Sequence, residues 1–96
     1  MSDRQAIGVL ETRGMASLMG ATDAMLKTAN VTISGTHRVG SGWLTVVIAG
    51  TVDSVEAAMA VGQQKAVLRG DLITAEVMAR VDDRAMAAMP HGNAVH

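Results

Sequence analysis

A chain of 96 residues with 49% hydrophobic side chains and a net charge of −1 is one folded domain, too short for a second. The absence of cysteine excludes a disulfide framework, a thiolate nucleophile and iron–sulfur ligation. Eight Lys and Arg residues scattered without a basic tract, and one Trp with no Phe or Tyr, leave neither a phosphate-binding stripe nor a base-stacking platform, so nucleic acid is not an expected partner.

Residues 5–12, QAIGVLET, alternate as a strand, with Ile7, Val9 and Glu11 on one side and Ala6, Gly8 and Leu10 on the other. Gly14 punctuates. From Met15 to Ala29 the period becomes helical: Met15, Leu18, Met19, Thr22, Leu26 and Ala29 predict one apolar stripe, with Asp23 and Lys27 paired four apart on another face and Asn30 as the stop. Residues 31–39, VTISGTHRV, read as a β-branched strand with a bulge or close backbone approach at Gly35. Gly40-Ser41-Gly42 is a tight turn into the strongest strand signal of the chain, residues 43–49.

Gly50 ends that strand. Thr51 and Asp53 both qualify as N-caps for a second helix, Glu56 completing a capping box with Asp53. Val52, Val55, Met59, Gly62 and Ala66 mark its buried stripe, the glycine suggesting close packing on the sheet, and Gly70 its end. Residues 72–81 make a fourth strand. Asp82 or Asp83 then caps a short helix over 84–89, stopped by Pro90, with a tail over 91–96. The order is β-α-β-β-α-β with a short C-terminal helix: an α+β, ferredoxin-like fold around an antiparallel-containing four-stranded sheet. The whole chain is one domain, its ordered core at about 5–90.

Chemistry-bearing residues do not converge. His37, His91 and His96 show no metal-ligand spacing, and no acidic pair is placed for acid–base work. Ser41 between two glycines lacks the strand-to-helix setting of a nucleophile turn, and no Lys-Ser/Thr follows to make a phosphate loop. The residues therefore predict a non-enzymatic domain with no metal and no cofactor, and Met15, Met19 and Met59 read as core filler. A core built without Phe or Tyr gains less per residue at roughly 25 cal/mol per Å², so further burial is expected from copies of the same chain. The N-terminus has no apolar leader and no run reaches the ~18 apolar residues of a membrane span; the expected location is the cytoplasm, with no membrane partner.

Read jointly, the segments resemble the single-domain bacterial microcompartment shell proteins. GVLETRG at 8–14 is similar to that family's opening glycine, hydrophobic pair, Glu-Thr, basic residue and glycine; DAMLKTANV at 23–31 to its Asp-Ala-Met and Lys pattern; GTHRVGSG at 35–42 to its Gly-Tyr-Glu-Lys-Ile-Gly-Ser-Gly; TVVIAGT at 45–51 to the strand that follows; and 52–70 to its Ala-rich second helix. The resemblance covers about residues 5–90 and implies hexameric tiles that pack edge to edge into a shell around enclosed enzymes. It places Gly40, Ser41 and Gly42 at a central pore for small polar metabolites, His37 and Arg38 at the pore mouth, and Lys27, Asn30 and Arg80 at the hexamer edge. Its implied partners are the chain itself, other shell proteins, the enclosed enzymes and the metabolites that cross, in a bacterial cytoplasm. The chain departs from the pattern in three places. Val81-Asp82 follows Arg80 in place of Pro-His, Thr36-His37-Arg38 replaces Tyr-Glu-Lys, and Trp43 is larger than the usual residue after the pore glycine. The alternative reading is a ferredoxin-like regulatory or small-ligand-binding oligomer, which would stop at a closed assembly.

Overall fold

The computed structural model describes residues 4–40 and 42–79. Its elements are β1 (Gln5–Arg13), α1 (Met15–Thr28), β2 (Thr32–Val39), β3 (Trp43–Thr51), α2 (Val52–Leu68) and β4 (Leu72–Ala79), in the β-α-β-β-α-β order predicted. The strands form one sheet in the order β2-β3-β1-β4, with every neighbouring pair antiparallel. The short helix expected over 84–89, its Asp82 and Asp83 caps, and the tail with His91 and His96 lie outside the described residues.

Period-two alternation fixes which side of the sheet is covered. Ala6, Gly8, Leu10 and Thr12 of β1 are buried, as are Leu44, Val46 and Ile48 of β3, while the intervening residues are only half-covered. Both helices pack on that buried side, α2 over β1 and β4 and α1 over β1 and β3. Gly8 makes the approach of α2 possible, because a Cβ there would stand 2.7 Å from the Met59 side chain and 3.1 Å from Val55. Gly62 is buried as predicted, but its close neighbour is not the sheet: a Cβ there would meet the Met25 Sδ of α1 at 2.6 Å. The two helices thus press against each other through a glycine filled by a methionine.

Helix ends follow local chemistry. Thr51, not Asp53, is the N-cap of α2, its Oγ1 accepting the Ser54 N–H at 3.2 Å; Asp53 sits in the first turn, where a carboxylate favours the helix dipole, and forms no capping box with Glu56. At the other end Gly70 adopts φ +74°. The Gly70 N–H reaches the Val67 carbonyl and the Asp71 N–H the Ala66 carbonyl, both at 2.9 Å, the paired bonds of a Schellman stop. Helix α1 ends one residue before the expected Ala29, which is its C-cap.

The stripe predicted for α1 needs correction. The helix buries Ser17, Leu18, Ala21 and Met25, whereas Met15, Met19 and Leu26 are 45%, 63% and 46% exposed. Apolar side chains cover more than one face of α1, and packing against α2 selected the face carrying Met25. Met59 is core, as expected; Met15 and Met19 are not.

Ser17 is a buried hydroxyl with two polar neighbours. It donates to the Asp71 carboxylate and accepts from Arg69 Nε at 2.8 Å, tying the start of α1 to the turn between α2 and β4. Ser17→Ala is expected to lower stability by about 1 kcal/mol, the typical net value of such a bond, since Asp71 keeps Arg69 and some solvent; a urea melt of the variant checks it.

Candidate functional site: the two ends of the sheet

The residues singled out from the sequence gather at opposite ends of the strands. At one end β2 turns into β3. Gly40 and Gly42 take φ +63° and +81°, the left-handed region that glycine enters without strain. The Gly42 carbonyl accepts the Gly14 N–H at 2.8 Å, so the turn is fastened to the β1–α1 corner. Ser41, between them, lies outside the described residues.

The other end carries the residues expected at a tile edge. Lys27 stands in the last turn of α1, ion-paired with Asp23 at 3.1 Å, both side chains largely exposed. Such a surface pair four residues apart is worth only ~0.3–0.5 kcal/mol, so its geometry alone does not explain the lysine. The Asn30 carbonyl lies close beside Gly50. Gly50 is paired with Ala6, and Ala6 in turn with Ala79, the last residue of β4. Arg80 follows Ala79 and lies outside the described residues. Glycine turn and edge residues are thus separated by the length of β3, about 27 Å for nine residues.

His37 and Arg38 fall on opposite faces of the sheet. The bulge expected at Gly35 is present as a register shift between Ile33 and Gly35. Beyond it His37 pairs with the half-covered Thr45, and Arg38 with the buried Leu44. Cross-strand partners share a face, so Arg38 is on the helix side and His37 on the open side of the sheet. Trp43 also lies on the open side, paired with Val39 and Arg13 and 41% exposed.

Two features were not legible beforehand: among the described residues, apolar side chains are exposed on both flanks of the sheet. On the α1–β2 flank an open groove of about 310 Å³ is lined by Met15, Leu18, Met19, Thr22, Asp23, Leu26 and Thr36. On the α2–β4 flank Val67, Leu68, Val77 and Met78 are 54%, 77%, 39% and 43% exposed. A sequence signal existed in the breadth of apolar positions on α1, which exceeds what one buried face requires.

The BMC domain model matches residues 6–81. The chain belongs to the BMC domain family. Among its relatives, a carboxysome shell protein, CcmK2 of Thermosynechococcus vestitus, is 37% identical over a match covering 88% of this chain and 85% of that protein. The bacterial microcompartment shell protein PduA of Citrobacter freundii is 35% identical, covering 93% and 96% of the two chains. A solved microcompartment protein from Desulfitobacterium hafniense superimposes with a TM-score of 0.76 at 27% identity, over 91% of this chain. This chain spans about half of that structure, 49% of its length. Hexamers with a central pore are typical of BMC domains. The described residues hold no cluster of three or more His, Asp or Glu side chains that could hold a metal. No helix among them is long and apolar enough to cross a membrane.

Proposed function

We propose that this chain is a structural shell protein of a bacterial microcompartment, a flat ring of six copies whose Gly40-Ser41-Gly42 turns surround a pore for small polar metabolites. The observation that carries the reading is the polarity of the sheet. The glycine turn closes one end, Lys27 and Asn30 stand at the other, and the flanks between them expose apolar side chains. In a cyclic ring one end of each subunit converges on the axis and the other becomes the rim, so the flanks must face neighbours. Glycine at the converging end permits close backbone approach, and a serine at its tip would keep the opening small, wet and uncharged, selecting by bore and hydrogen bonding. The two sides of the pore would differ: Arg38 would repeat as a positive ring on the helix side, attracting anionic metabolites over a Debye length of ~8 Å at physiological salt, with His37 on the open side. In this role the chain performs no catalysis and needs no cofactor. Its partners are its own copies, other shell proteins, the enclosed enzymes and the metabolites that pass, and its place is a shell within the bacterial cytoplasm.

Edge packing supplies the test. Raising the concentration of purified protein should yield extended sheets in electron micrographs, where a regulatory oligomer would stop at a closed ring. Lys27→Ala should leave the ring intact and weaken sheet formation, the long lysine stem no longer lying along the next tile. Sheets forming equally well would reduce Lys27 to the surface partner of Asp23.

A further inference from the structure

Resting on the ring reading for its place beside the pore, we propose that Trp43 and Arg13 form a binding site on the open side of the sheet for a flat organic anion, a planar apolar body carrying a carboxylate or phosphate. The indole takes the planar body and the guanidinium takes the anionic head.

The site follows from strand pairing. Trp43 opens β3, and its cross-strand partners are Val39 on β2 and Arg13 on β1. Partners in register share a face, and alternation with the buried Thr12 and Leu44 puts this row of three on the open side. Trp43 is the one aromatic residue of the chain. A side chain of that size would be expected in a core otherwise built of small pieces, yet it stands 41% exposed, with Val39 beside it equally so. β3 and β1 are the two interior strands, so Trp43 and Arg13 lie away from both flanks. A ring that covers the flanks leaves them on its surface.

Electrostatics select the sign of the ligand. An indole face by itself attracts cations. Here Arg13 stands next to it, and no salt bridge among the described residues engages that guanidinium. Two acids lie close by, and both are turned elsewhere. Glu11, two residues back on the same face, accepts the Thr74 hydroxyl at 3.4 Å, toward β4. Asp71, whose carbonyl accepts the Arg13 N–H, directs its carboxylate to Ser17 and Arg69. An uncompensated guanidinium beside an exposed ring repels a cation and suits a carboxylate or phosphate, which it can grip with two parallel hydrogen bonds. Val39 extends the apolar floor on the far side of the indole. In the ring reading this row borders the opening, since Val39 and Trp43 are the last pair before the Gly40-Ser41-Gly42 turn. Selection on the open side is then by shape as well as by charge.

Trp43 is its own probe, because the chain holds no other aromatic residue. Benzoate and phenyl phosphate, titrated into the purified assembly at low salt, should change its emission saturably, and the tighter of the two names the head group. Benzamide, which has the ring without the charge, should bind at least roughly tenfold more weakly, the value of a charge-assisted hydrogen bond. Acetate, which has the charge without the ring, should leave the emission unchanged. Arg13→Gln should weaken benzoate by the same factor and flatten its salt dependence, with circular dichroism unchanged. Trp43→Leu, followed by ligand-observed NMR, should no longer prefer benzoate to acetate. Lowered melting temperatures for both variants, with no emission response of the wild type to either aromatic anion, would overturn the proposal and leave a cross-strand pair that only stabilises the sheet. An indole that acrylamide cannot quench in the assembly would overturn it too, since the row is then covered. Failure of both anions against an intact six-chain ring removes the site and leaves the ring standing. A saturable response from a protein that is a single chain upholds the site and takes it away from any pore.

Discussion

Leu10→Ala should cost the subunit about 2–5 kcal/mol, the range for truncating a fully buried leucine. Leu10 is wholly inaccessible on β1, a central strand with β3 on one side and β4 on the other. It pairs with Val46 across β1 and β3 and belongs to one core cluster with Ile48, Val55 and Met59. Methionine is the adaptable element here and can relax a little toward the void. Met59, however, is already pressed over Gly8, and Met25 over Gly62. Little slack remains, which places the cost toward the upper part of the range. Folded domains hold only about 5–15 kcal/mol in total, so the variant should melt far lower and show more unfolded chain at 37 °C. A chemical denaturation curve monitored by the single Trp43 reads the loss. A midpoint within a few tenths molar of wild type would mean that the core is not organised around β1.

The second large effect belongs to the pore. If Ser41 stands at the axis, one substitution is repeated six times within a few ångströms. Ser41→Leu should then close or dewet the opening with apolar side chains while leaving the subunit fold unchanged, because Gly40 and Gly42 still supply the positive φ that the turn needs. Compartments in which every tile carries the substitution should lose most small-metabolite flux across an otherwise intact shell. Unchanged leakage through such shells would remove Ser41 from the pore.

Much of the fold was legible because local signals agreed with one another. The alternation of β1 separated its two faces correctly, Val55, Met59, Gly62 and Ala66 marked the buried stripe of α2, and Gly70 marked its end. What failed did so for lack of information about neighbours. Periodicity shows that Met15, Met19 and Leu26 share a face of α1, but not whether anything covers that face; the helix turned Met25 inward instead because Gly62 left room for it. Gly8 was invisible for the same reason, its small size acquiring meaning only once Met59 lay over it. His37 and Arg38 could not be assigned sides, because the bulge at Gly35 resets strand parity and only the pairing with β3 restores it. Both ends of the proposed site were readable as motifs, while the exposed apolar flanks were not, since an exposed apolar residue and a core residue look alike in one sequence.

The mass of the wild-type assembly tests the central claim most directly. Native mass spectrometry of the purified protein at micromolar concentration should show one dominant species of six chains, persisting on dilution because each subunit would bury both apolar flanks. A stable single chain, or a species of two chains, would contradict the account.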